Sequence, residues 1–71
     1  MSANRLIILA QEYIQTVDAM RSGQYTVDEL RTLDSERQLL HDELCRLTGY
    51  SRRADMYRAA RLILRDGGID A

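Results

Sequence analysis

The 71 residues contain no proline, no tryptophan, no phenylalanine and no lysine, and only one cysteine and one histidine. Each absence excludes something. A lone Cys45 cannot close an internal disulfide, so a secreted disulfide scaffold is ruled out and a reducing, cytoplasmic setting is expected. Cys45 and His41 stand four residues apart and would share a helix face. Two ligands are too few for a structural zinc site, so no metal and no cofactor are expected. The longest apolar run, Leu6 to Ala10, is too short for a membrane span or the core of a signal peptide. No glycine-rich phosphate loop is written anywhere. A net charge of −1 argues against a generic polyanion binder.

A chain this short buries little, and small scaffolds lean on a disulfide, a metal or a partner chain. With the first two excluded, a homodimer is expected. The 45% hydrophobic content without proline suits a compact all-α domain.

Residues 25–47 are the organising stretch. Thr26 is an N-cap with Glu29 three positions on, the pattern of a capping box. Tyr25 and Leu30 are placed as a hydrophobic staple, and Asp28 and Glu29 complement the helix dipole. Leu30, Leu33, Leu40, Leu44 and Leu47 then repeat in steps that keep one seam facing a neighbour. Gly49 supplies a left-handed stop. A helix over about 27–48 follows.

A first helix is predicted over about 3–22. Ala3, Leu6, Ala10, Tyr13, Val17 and Met20, flanked by Ile7, Leu9 and Ile14, make an apolar face about 160° wide. A face that wide wants two neighbours. The short link Ser22-Gly23-Gln24 makes the two helices antiparallel, and two such hairpins side by side would form a four-helix bundle. The self-association seam is therefore assigned to Leu6, Tyr13, Val17, Leu33, Arg37, Leu40, Leu44 and Leu47. Arg37 is the charged member. It needs an acid, from Asp34, Glu36 or another chain, or a wet position.

Thr48 to Ser51 is the second break. Ser51 is read as the cap of a third helix over about 52–66, stopped by Gly67-Gly68. Met56, Tyr57, Ala60, Ile63 and Leu64 form its apolar face. Arg58, Arg61 and Arg65 align opposite, within about 60°, with Leu62 beside them. Arg61 and Arg65 are like charges four apart, and Arg52 and Arg53 would set positive charge against the helix dipole. Departures from local rules often mark function. Charge is split along the chain: residues 46–71 hold six arginines against three acids, residues 1–45 four against eight.

The run Leu47-Thr48-Gly49-Tyr50-Ser51-Arg52, with Met56, Tyr57, Arg58 and Ala60, resembles the start of the second helix of ribbon-helix-helix repressors. That family also requires a short strand before a shorter first helix, which this sequence does not supply, and the chain is not assigned to it. Catalysis is not expected: Asp42 and Glu43 point apart on a helix, and Ser35, His41 and Asp42 do not form a nucleophile–base set. The sequence therefore implies a non-enzymatic regulator, adaptor or inhibitor acting through protein–protein contact. It would bind an acidic protein surface through Arg52, Arg53, Arg58, Arg61, Leu62 and Arg65, with no membrane and no small-molecule substrate. The alternative is a small dimeric DNA-binding regulator using the same helix.

Overall fold

The computed structural model of the protein describes residues 3–66. Three helices follow in order: α1 (Ala3–Arg21), α2 (Val27–Thr48) and α3 (Met56–Leu64). The all-α class and the hairpin are as the sequence implied. The expected stop at Gly67-Gly68 lies outside the described residues.

The termini of α2 carry their sequence signals in full. Thr26 Oγ1 accepts from the Glu29 amide at 3.2 Å, and Glu29 Oε1 accepts from the Thr26 amide at 2.8 Å. At the other end Gly49 adopts φ +78° and its amide donates to the Cys45 carbonyl at 2.8 Å. A residue with a Cβ is strained in that left-handed region.

α1 and α2 pack antiparallel. Arg5 at the start of α1 reaches Glu43 near the end of α2, and midway along, the Tyr13 and His41 rings lie 6.1 Å apart. α3 then lies across α1. Its Tyr57 hydroxyl donates to Asp18 Oδ1 at 2.8 Å, and the Arg21 guanidinium sits 5.1 Å from the Tyr57 ring centre. At its far end Leu62 and Ile63 share a groove with Leu6. Two fixed points make α3 antiparallel to α1.

The core is a single cluster of Leu9, Ala10, Tyr13, Val17, Leu44, Met56 and Ala60, with Leu6, Ile14, Leu40 and Tyr57 packed at its edge. Four of the seven members belong to α1, one to α2 and two to α3. The wide face of α1 does have two neighbours, but the second is α3 of the same chain rather than a second hairpin. A nine-residue helix is marginal in water by itself. α3 persists because Met56 and Ala60 are buried against the hairpin.

The third helix begins later than the sequence suggested. Asp55, not Ser51, is its N-cap, accepting from the Arg58 amide at 3.2 Å. Ser51 instead caps a turn, its hydroxyl accepting from the Arg53 amide and its carbonyl from the Ala54 amide. The segment 49–55 must carry the chain back along α2 so that α3 can reach α1, and helix cannot form until that return is made. Arg52 Nη1 pairs with Asp42 Oδ1 at 3.0 Å on the way, and Cys45 Sγ points to the Ser51 carbonyl at 3.9 Å.

Candidate functional site

α3 presents two unlike faces. Met56, Tyr57, Ala60, Ile63 and Leu64 turn inward. Arg58, Arg61 and Arg65 are exposed on the opposite face, with Leu62 47% exposed beside them. Among the described residues none of these three arginines is in an ion pair. Arg61 lies 5.9 Å from the Tyr57 ring centre, so Tyr57 contacts two guanidinium groups, Arg21 and Arg61. Such contacts orient an arginine without neutralising it. The result is three like charges and a half-exposed leucine on one rigid face.

The two earlier arginines do not join that face. Arg52 and Arg53 lie in the turn before Asp55, not in the first turn of a helix. Arg52 is held against Asp42. The apparent conflict with the helix dipole disappears, because the first turn of α3 is entered from an aspartate.

Of the expected self-association seam, Tyr13, Val17 and Leu44 are buried within the chain, and Leu6, Leu33, Arg37 and Leu40 are half-buried. Leu47 is 46% exposed. Arg37 finds its acid locally: both its Nε and its Nη2 reach Asp34 Oδ1 at 2.9 Å. Burial alone would depress its pKa, but the bonds to Asp34 and the neighbouring Tyr13 hydroxyl raise it above the ordinary arginine value. Arg37 is thus paired within its own chain.

At the open end of the hairpin, Glu43 receives Arg5 at 2.9 Å and also Arg46. The hydrogen bond from Arg5, and the charges of Arg46 and Arg5, hold its carboxyl below the usual carboxylate range despite some desolvation. His41 Nδ1 and Cys45 Sγ are 3.7 Å apart. No group of three or more His, Cys, Asp or Glu side chains is gathered for a metal among the described residues, and none of their helices is long and apolar enough to cross a membrane.

One feature of the surface was not singled out from the sequence. On the hairpin, Glu12, Gln15 and Thr16 of α1 and Glu36, Leu39 and Leu40 of α2 line a common open groove. Leu39 is 70% exposed there. The sequence signal was Leu39 itself, a leucine directly before a seam position and therefore off the seam. The chain matches no protein-family model, and comparison with curated proteins and with solved structures gives no match.

Proposed function

We propose that the chain is a small, non-enzymatic regulatory or adaptor protein of the cytoplasm that acts by protein–protein contact, docking the outer face of α3 on an acidic protein surface and also self-associating. The observation that carries this reading is the stripe Arg58, Arg61 and Arg65 with Leu62, exposed and without ion pairs among the described residues. Arginine beside an exposed apolar side chain is the composition enriched at interface hot spots, where planar guanidinium groups take carboxylates in pairs of hydrogen bonds.

The same arginines favour the second reading, a DNA-binding regulator. Asp55 at the N-cap weighs against it, since it sets a carboxylate at the helix end that enters a groove in helix-turn-helix docking. α3 is also short for a recognition helix that must hold its own frame.

The test places a photo-crosslinking residue at position 62 and compares the wild-type background with R58Q/R61Q/R65Q in extracts of the source cells. The expected result is a protein adduct in the first and its loss in the second, with both variants equally folded. Equal capture by both would refute the assignment to this face. In parallel, binding to a random duplex of ~30 base pairs is read by anisotropy at ~50 and ~200 mM salt; tight binding that collapses at the higher salt would replace the protein partner with nucleic acid.

A further inference from the structure

The groove of Glu12, Gln15, Thr16, Glu36, Leu39 and Leu40 lies on the other side of the hairpin from α3. Arg21 meets α3 through Tyr57, and Glu12 is nine residues away on α1, about two and a half turns and so on the opposite side of that helix. Among the described residues Glu12 and Glu36 make no ion pair and no side-chain hydrogen bond. Leu39, the most exposed large apolar side chain of the described residues, lines the same groove. Ile8, one turn before Glu12 on α1, is also half exposed.

This groove and the outer face of α3 are complementary. One carries a leucine beside unpaired glutamates, the other a leucine among unpaired arginines. We propose that the groove receives α3 of a second copy of this chain, with Leu62 packed on Leu39 and Leu40 and the arginines of the stripe on Glu12 and Glu36. The proposal rests on the reading of the α3 arginine face as a protein-docking surface and names its occupant. Groove against groove would oppose glutamates, and stripe against stripe would oppose arginines, so a symmetric pairing through either face alone is disfavoured. The contact is head-to-tail. Because the two faces lie on opposite sides of the chain, it leaves a free groove at one end and a free stripe at the other, and growth continues past the dimer.

Sedimentation velocity over a concentration series tests this with two charge-swapped chains, E12R/E36R and R58E/R61E/R65E. Circular dichroism melts confirm that each folds; R58E/R65E, which keeps Arg61 over Tyr57, replaces the triple variant if that one does not. Wild-type protein is expected to form species larger than a dimer as concentration rises, and to lose them in high salt. Each variant alone is expected to remain monomeric, since its groove and stripe then carry the same sign. An equimolar mixture of the two is expected to regain association, because every contact in an alternating chain again joins opposite charges.

Wild-type protein that stays monomeric, or that stops at a dimer, overturns the proposal. So does association that persists in either variant, or a mixture that stays monomeric. If wild type is monomeric while R58Q/R61Q/R65Q still abolishes capture at position 62, only the second-copy occupant fails. If capture is insensitive to that variant, the docking face itself fails.

Discussion

Leu44 and Leu47 occupy successive positions of one leucine seam in the sequence, yet truncating them should have very different consequences. Leu44 is fully buried, the only buried residue of α2, whereas Leu47 is nearly half exposed. Removing a buried leucine side chain forfeits its transfer free energy of about 1.5–3 kcal/mol and leaves a cavity, for a total of about 2–5 kcal/mol. Leu40 and Cys45, half-buried at the edge of the core, can relax into part of the space, which places Leu44→Ala near 3 kcal/mol on that scale. A chain of this length has about 3–10 kcal/mol in all, so the variant should melt roughly 10–25 °C lower. Leu47→Ala removes a side chain already in contact with water and leaves no cavity. It should cost less than about 1 kcal/mol. Both are read from thermal and urea unfolding followed by circular dichroism, with equal m-values required for the comparison. Equal destabilisation by the two substitutions would refute the burial argument. If the Leu47→Ala loss also grew with protein concentration, the end of α2 would be covered by a second copy.

Three further predictions address the caps and the charges. Asp55→Ala should destabilise by about 1 kcal/mol while Ser51→Ala stays within about 0.5 kcal/mol, because only Asp55 caps α3; the reverse order in urea unfolding would restore the earlier helix start. Glu43 has a folded pKa depressed mainly by Arg5, so its contribution is present above its unfolded pKa and lost as pH falls through the folded value. Melting temperatures of wild type and Glu43→Gln should therefore differ at neutral pH and converge on acidification from about pH 4.3 downward; a constant gap across that window would show the ion pairs to be irrelevant. Arg37→Leu should leave stability unchanged or slightly higher, since it exchanges a partly exposed i,i+3 pair for apolar packing, and a loss of several kcal/mol in urea would show that the pair with Asp34 is a strong contributor rather than a weak, solvent-screened one.

Local chemistry was legible in the residues themselves. The capping box of Thr26 and Glu29, the left-handed Gly49, the antiparallel hairpin and the arginine stripe on the third helix all follow from patterns a few residues long. They hold because a cap or a helical face is decided by neighbours within one or two turns. What the sequence could not decide was which surface covers which. The wide face of α1 demanded a second neighbour, and periodicity cannot distinguish α3 of the same chain from another copy. The seam of α2 read alike at Leu44 and Leu47, but only one of them faces the core, because the segment 49–55 folds back beside α2 and carries α3 onto α1. That return also moved the cap from Ser51 to Asp55 and took Arg52 and Arg53 out of the helix. The groove of Glu12, Glu36 and Leu39 joins side chains from two helices whose mutual register is set by packing. Such long-range choices depend on the total apolar area buried by the whole chain, a quantity fixed only once the tertiary structure is formed.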